Sequence, residues 1–126
     1  MHNEVRRRAP AFQFYPRDWL DFRVARMSWA AQGIYIKILC WMWMDSADQC
    51  SIPADDTSLR RALGLSSTTW RRIKAEFFPE TGSIFEIVTR ENISFFKSKR
   101  LELESVKQTQ RRAILAENGK RGRIKS

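Results

Sequence analysis

The residues best suited to chemistry in this chain are two arginines, Arg71 and Arg72, in the segment SSTTWRRIKAEFF. Ser66 or Ser67 as the cap and Pro79 after the segment predict a helix, with Ser67 and Thr68 at its N-terminus. Arginine can donate two parallel hydrogen bonds to guanine O6 and N7, while Ser and Thr suit phosphates or bases. The pattern therefore indicates a helix that contacts DNA. The alternative is that both arginines are solvated surface charges or pair with Glu76 at helical spacing.

The segment before this helix completes a DNA-binding motif. Residues 55–57 give an acidic start to a short helix, and Gly64 is a natural end for it. The apolar side of that helix consists of Leu59, Ala62 and Leu63. Two short helices joined by a turn containing glycine are typical of a helix-turn-helix, in which the second helix enters the DNA major groove.

Two apolar runs follow, at residues 84–88 and 93–96, and the connection at 89–92 predicts a β-hairpin. The order of helix, helix-turn-helix and hairpin predicts a winged helix-turn-helix, mainly α with a small β-hairpin and an extra C-terminal helix. The hairpin would bring Arg90 and Lys97 to backbone phosphates. The complete set of predicted DNA contacts is Ser67, Thr68, Arg71, Arg72, Arg90, Lys97, Lys99, Arg100, Lys120, Arg121 and Arg123.

The distribution of charge also favours a polyanionic partner. The chain has 126 residues, with 23 Lys+Arg against 14 Asp+Glu and a net charge of +9. Residues 1–26 carry a net charge of +3 and residues 97–126 one of +7, which leaves −1 for residues 27–96. Basic ends on a nearly neutral body suit the phosphates of DNA, with duplex DNA favoured and single-stranded DNA as an alternative. The competing explanation is that the basic ends only keep the protein in solution.

Enzymatic chemistry is not expected. The sequence lacks a His partner for Ser or Cys, a glycine-rich phosphate loop and the spacing of metal ligands, so neither a metal nor a cofactor is predicted. Asp55 and Asp56 fit the start of a helix better than a metal pair. Cys40 is expected to be a small core residue, and the two thiols without metal-ligand spacing indicate a reduced, cytoplasmic setting.

The elements that must position these residues are organised around the segment 28–45. It is apolar on nearly every face, so it is predicted to be a buried central helix capped by Ser28. Gln32 and Lys37 interrupt it, which argues against a membrane span. Residues 12–19 are predicted to form an extended edge segment with Phe12 and Phe14 toward the core, and residues 46–53 to form a loop. The predicted units are a basic N-terminal arm (1–11), a winged-helix domain (12–97), a C-terminal helix (98–117) and a basic tail (118–126).

A set of motifs along the chain resembles a known family. The set comprises FQFYPRDW at residues 12–19, Gly33, Tyr35, Leu39, Trp43, Ile52, Pro53, Asp55, Leu59, Leu63, Gly64, Trp70, Phe77 and Phe78. Over roughly residues 12–100, this order resembles the YdaU-like domain of phage and prophage proteins, a domain of unknown function that is often N-terminal in replication-initiation or primosome-like proteins. The sequence NGKRG at 118–122 resembles the linker that follows such domains, where relatives often continue. The resemblance implies a winged-helix-like fold and a role near phage DNA replication, without assigning functional residues.

Two functions remain open from the sequence. One is a non-catalytic DNA-binding protein of a phage or prophage, acting in replication initiation or in transcriptional control. The other is a protein-interaction adaptor, either a homodimer or a binder of a host or phage replication factor, which would use the same scaffold and the helix from Ser98. The thin apolar stripe of that helix motivates the second function, because an isolated helix of this kind needs a partner to be stable.

Overall fold

The computed structural model describes the backbone of residues 10–125 and the side chains of residues 10–119. Over the described backbone, the chain is mainly helical and includes a small antiparallel sheet. In chain order the elements are α1 (Pro16–Leu20), α2 (Phe22–Ala25), α3 (Trp29–Asp45), β1 (Ser51–Pro53), α4 (Asp56–Leu63), α5 (Ser67–Phe77), β2 (Glu86–Arg90), β3 (Ile93–Lys97) and α6 (Lys99–Lys125). Most of the predicted basic arm, residues 1–9, lies outside the described residues.

The core forms where α3 meets α5, the sheet and the start of α6. Ser28 caps α3 as predicted, because its Oγ accepts a hydrogen bond from the Ala31 amide at 3.2 Å. The ring of Phe85 stands edge-on to that of Phe77 at 5.5 Å and stacks on that of Phe96 at 5.9 Å. The fully or almost fully buried residues of α3, α5 and α6 include Ile38, Leu39, Met42, Trp43, Trp70, Ile73 and Leu101.

The helix α3 is not buried on all sides, which corrects the sequence-based prediction. One face of it is exposed to solvent along the whole helix, and Cys40 lies on that face instead of in the core. The thiol in the core is Cys50, whose pKa is raised to about 11, chiefly by burial. A helix that is apolar all round needs neighbours on every side, and this fold supplies them on only some sides.

The connection from α4 to α5 has the geometry that the sequence predicted. Asp55 caps α4, and Gly64 ends it in the left-handed conformation with φ of +70°. The Leu65 amide then donates to the Arg60 carbonyl at 2.8 Å, and Ser66 caps α5. Of the predicted apolar side of α4, Leu59 is buried and Leu63 half-buried, but Ala62 is exposed.

The sheet has a third strand that the sequence prediction missed. The strand order is β1-β3-β2, with both pairs antiparallel, so the hairpin is joined by β1 from the segment predicted to be a loop. β1 is only three residues long and ends in a proline, so it carries no alternation to recognise. The hairpin turn is the two residues Glu91 and Asn92, with φ of 51° and 68°, and not the longer connection predicted. Positive φ at both positions is what tight hairpins require.

Residues 12–19 do not form an extended edge segment. The Pro16–Leu20 stretch is a short helix that begins with its proline, a position where the missing amide has no cost. The Phe12 ring does pack on the core, edge-on to Trp43 at 5.6 Å. Phe14 instead is exposed and stacks on Trp19 at 5.5 Å.

The final helix, α6, is longer than predicted. It runs through Asn118 and Gly119 to Lys125, so residues 118–125 continue the helix and do not form a separate tail. Its first turns pack on the N-terminal segment, where Glu104 accepts hydrogen bonds from the Tyr15 hydroxyl at 3.1 Å and the Gln13 amide at 3.2 Å. Residues 109–119 are exposed without exception. Within the described residues, no helix has both the length and the apolar character needed to cross a membrane.

Candidate nucleic-acid interface

The outward face of α5 is polar and cationic. Ser67, Thr68, Arg71 and Arg72 are all exposed on it. The opposite face anchors the helix, because Trp70, Ile73 and Phe77 are buried in the core as the sequence predicted. The side chains of Arg71 and Arg72 make no hydrogen bond or ion pair with any residue that the structure describes. Their guanidinium groups are therefore available to a ligand.

The carboxylate of Asp56 fixes α4 against α5. It accepts hydrogen bonds from the indole Nε1 of Trp70 at 2.8 Å and from Nζ of Lys74 at 2.9 Å. Both hydrogen bonds lower the pKa of Asp56 below its ordinary value, and the one from Trp70 contributes most. Asp56 is thereby engaged with Trp70 and Lys74 of α5, and it forms no ion pair with Arg71 or Arg72.

Glu76 is also engaged away from the arginines. Its two carboxylate oxygens accept from the backbone amide and the hydroxyl of Ser28, each at 2.7 Å. This pair of hydrogen bonds ties α5 to the N-terminus of α3. The alternative pairing of Arg71 or Arg72 with Glu76, which helical spacing allowed, does not occur.

A shallow hollow of about 280 Å³ separates the outer surfaces of α4 and α5. It is lined by Asp56, Thr57, Arg60, Ser67, Trp70, Arg71 and Lys74. Arg60 thus joins Arg71 at the same hollow, and Arg61 is exposed next to it on α4. Neither the Arg60 nor the Arg61 side chain is paired with another described residue. Sequence reasoning missed this pair, although both lie between the predicted apolar positions Leu59 and Ala62.

The cationic residues of the hairpin are engaged within the protein. Arg90 lies 3.3 Å from the Asp48 carboxylate, with its guanidinium 5.2 Å from the centre of the Phe95 ring. Lys97 pairs with Glu102 across the junction of β3 and α6, an interaction that raises the pKa of Lys97. Both side chains are therefore less available to phosphates than Arg71 and Arg72.

The predicted contacts on α6 fall into three groups. Lys99 is exposed. Arg100 packs inward, with Nε 3.1 Å from the Asp18 carboxylate and its guanidinium 5.4 Å from the centre of the Trp19 ring. The remaining three, which lie on the last turns of α6 where the structure does not describe side chains, are Lys120, Arg121 and Arg123. The structure therefore groups Ser67, Thr68, Arg71 and Arg72 on one face and leaves Arg100 elsewhere.

A second cleft, of about 400 Å³, lies between the N-terminal segment and the start of α6. It has cationic and acidic side chains in similar number, and Asp18, Asp21 and Glu104 already pair with its own residues. Burial raises the pKa of Tyr35 at its floor. A balanced charge of this kind suits a structural role.

No protein-family model, curated protein or solved structure matches this chain. Among the residues that the structure describes, no group of three or more His, Cys, Asp or Glu side chains is placed to hold a metal ion. The function therefore has to be inferred from the shape and charge of the exposed surfaces.

Proposed function

We propose that this protein is a non-catalytic, DNA-binding winged helix-turn-helix protein. The element order α3, β1, α4, α5, β2, β3 supports this fold, because it places a helix-turn-helix ahead of a hairpin. The sheet order β1-β3-β2 supports it further, since β1, which directly precedes α4, pairs with β3 of the hairpin. In this proposal α5 is the recognition helix and the β2–β3 hairpin is the wing.

The observation that carries the proposal is the set of unpaired arginines on the outer surface of the two helices. Arg71 and Arg72 lie on α5, with Arg60 and Arg61 on α4, and the carboxylates of Asp56 and Glu76 bond to other residues. A surface whose arginines are not paired with its carboxylates favours phosphate oxygens and guanine edges.

The proposed mechanism follows from where these groups lie on the two helices. The first two turns of α5 enter the major groove, and Arg71 or Arg72 donates two hydrogen bonds to a guanine. Ser67 and Thr68, at the N-terminus of α5, bond the phosphates that flank the groove. Arg60 contacts the backbone from α4. Arg90, Lys97 and Arg100 keep their internal ion pairs and support the fold.

The resemblance to the YdaU-like domain suggests the cellular setting. On that basis we propose that the protein acts in a phage or prophage, in replication initiation or in transcriptional control. Duplex DNA is the favoured substrate, because a recognition helix reads base pairs in the major groove.

Fluorescence anisotropy with labelled duplex and single-stranded DNA tests the proposal. Arg71→Gln is expected to weaken duplex binding by roughly 5- to 150-fold, the range for one bidentate base contact. The matched control is Arg17→Gln, which removes the same charge from an exposed arginine of α1. It should change affinity much less.

If Arg71→Gln and Arg17→Gln lowered the affinity for duplex DNA equally, binding would depend on net charge and not on α5. Absence of binding to either form of DNA at low salt would reject a nucleic-acid function for this protein.

The exposed outer half of α6 favours a second candidate function, that of a protein-interaction adaptor. Ile114 and Leu115 are both exposed there, in a stretch where every described side chain faces solvent. An isolated helix of this length is marginally stable in water, so a partner protein that covers these residues would stabilise it. The partner proposed is a host or phage replication factor.

Replacement of Ile114 and Leu115 by Asp distinguishes the adaptor from the DNA-binding protein. The double variant should keep its affinity for DNA and lose its partner if the adaptor function is correct. Loss of DNA affinity, with the fold intact by circular dichroism, would instead place this half of α6 in the DNA interface.

A further inference from the structure

One face of the central helix α3 is apolar and exposed for the whole length of the helix. Trp29 is 87% exposed, Ile36 43% and Met44 59%, and Gly33 and Cys40 are exposed between them. These five residues are separated by three or four positions, so they form one continuous stripe on the helix. We call this set of five residues the α3 stripe. At 1.5 Å per residue it is about 22 Å long.

The chemistry of the α3 stripe differs from that of the proposed DNA surface. Lys37 is the one charged residue beside its centre, and Asp45 lies beyond its end. An exposed apolar surface this continuous is typical of a protein–protein interface and unsuited to a polyanion. Its occupant must therefore present an apolar, nearly uncharged helix or groove.

The α3 stripe is complementary to itself when two copies run antiparallel. With a two-fold axis between residues 36 and 37, Trp29 faces Met44 of the other copy, and Gly33 faces Cys40. The large indole meets a flexible side chain, and a residue without a side chain meets a small one. Ile36 packs at the axis against the stem of Lys37. Large residues thus meet adaptable ones, and the two smallest face each other.

We propose that the α3 stripe is the interface of an antiparallel homodimer of this chain. Charge supports a second copy as the occupant, because residues 27–96 carry a net charge of only −1. The cations of the protein are concentrated at its two ends, so two bodies can meet without strong repulsion. A Cβ added at Gly33 would have no atom within 4 Å in one copy, so there is open space for the side chain that faces it. This interface is separate from α5 and does not depend on DNA binding.

Sedimentation equilibrium on Ile36→Lys tests the interface. The dissociation constant of the dimer should rise by roughly a hundredfold or more, because the change enters a two-fold interface twice. The matched control is Ile114→Lys, the same change at an exposed isoleucine of α6. It should leave the dimer intact, and thermal melts by circular dichroism should show that both variants are folded.

Disulfide crosslinking tests the antiparallel register. In Gly33→Cys the introduced thiol should bond to Cys40 of the other copy, giving a covalent dimer on oxidation. The two positions of one chain lie about 10 Å apart along the helix, beyond the reach of a disulfide within one copy. Gly33→Cys combined with Cys40→Ser should give no crosslink. The introduced thiol of one copy is offset from that of the other copy by about 10 Å along the helices. Cys50 is buried and does not compete.

Each outcome decides the proposal. A concentration-dependent dimer that Ile36→Lys dissociates, together with the crosslink between positions 33 and 40, supports it. A protein that stays monomeric at high concentration overturns it, whether the α3 stripe then binds another protein or a lipid surface. A dimer that Ile114→Lys dissociates and Ile36→Lys does not overturns it in favour of α6. Oxidation of the unchanged protein to a Cys40–Cys40 dimer overturns the antiparallel register.

Discussion

At the scale of single residues, the carboxylate of Asp48 joins the loop after α3 to the sheet. It accepts hydrogen bonds from the Cys50 amide at 3.0 Å and the Ser51 hydroxyl at 2.7 Å, and a further one from the Ser46 hydroxyl. The Arg90 guanidinium lies 3.3 Å away. Partial burial works to raise the pKa of Asp48, but these donors outweigh it and hold that pKa well below its ordinary value. The charged form of Asp48 therefore stabilises the folded state.

Replacement of Asp48 by Asn should lower the free energy of unfolding at pH 7 by about 1–3 kcal/mol, the effect of disrupting a partly buried hydrogen-bond network. Because the folded-state pKa lies below the unfolded value of about 3.9, this stabilisation is complete above that pH and is lost as the pH falls through the folded-state pKa. Urea unfolding at a series of pH values from 7 down to 2 should show the difference in stability between the two proteins beginning to narrow below about pH 4.

The control for this prediction is Asp45→Asn, at an exposed carboxylate that ends α3. It should leave both the stability at pH 7 and its acid dependence close to those of the unchanged protein. An Asp48→Asn variant as stable as the control at pH 7 would contradict the role given to Asp48.

At the scale of elements, the turn between α4 and α5 fixes the surface proposed to bind DNA. Gly64 adopts φ of +70°, and the hydrogen bond from Leu65 to the Arg60 carbonyl closes the turn. The hydrogen bond from Trp70 to Asp56 holds the two helices across that turn. Arg60 and Arg71 are brought to one hollow by this arrangement, so their relative position depends on the glycine.

The variant Gly64→Ala should lose about 1–2 kcal/mol of stability, the cost of left-handed backbone for a residue with a Cβ. Gly33→Ala is the matched control, because an added Cβ meets no atom within 4 Å at either position. Gly33 lies inside a helix, where alanine is favoured by up to about 1 kcal/mol. Chemical denaturation of dilute protein should therefore show a lower free energy of unfolding for Gly64→Ala and a higher one for Gly33→Ala. A shift in the same direction would mean that backbone conformation does not decide the effect.

The helix α6 has two halves with different surroundings. Leu101 and Glu104 are buried against the body, whereas residues 109–119 are exposed. Helical backbone that lacks tertiary burial relies on its own marginal stability.

Hydrogen exchange monitored by mass spectrometry should therefore show fast exchange for amides 110–119 and slow exchange for amides 35–43 of α3. The peptide at 101–105 serves as the internal control, because it belongs to the same helix and packs on the body. Equal protection of both halves of α6 would mean that something covers the outer half, as the adaptor function requires.

At the scale of the whole molecule, the charge is unevenly distributed. The body from 27 to 96 has a net charge of −1, and the two ends account for the rest of the +9. Two kinds of surface result. One is cationic and includes α5 and the ends of the chain, and the other is the apolar α3 stripe. Each suits a different partner, so the proposed DNA binding and the proposed self-association would not compete for one surface.

DNA affinity should fall steeply with salt, because each neutralised phosphate contributes about −0.9 to the slope of log affinity against log salt. Removal of residues 120–126, which include four cations, should reduce that slope by up to about 3.6. Arg71→Gln should alter discrimination between DNA sequences, which removal of the C-terminal residues should not. An affinity that stays level from low to high salt would contradict an electrostatic interface.

Much of the helical framework could be predicted because its signals are local. Ser28 and Ser66 cap helices through bonds to amides three residues away, and Gly64 ends α4 through its own φ. The buried side of α5 follows from the spacing of Trp70, Ile73 and Phe77. The strand β1 could not be found in this way, because three residues become a strand only by pairing with β3, more than 40 positions later.

The sequence by itself determined the helices α3, α4 and α5 with their ends, and that the charge is concentrated at the ends of the chain. These properties depend on residues within a few positions of one another or on composition alone. Only the tertiary structure decided that Glu76 bonds to Ser28 and leaves Arg72 unpaired, that Arg90 is held by Asp48, and that one apolar face of α3 is exposed. Those outcomes depend on which distant segments pack together, and hydrophobicity does not specify the direction from which a neighbour comes.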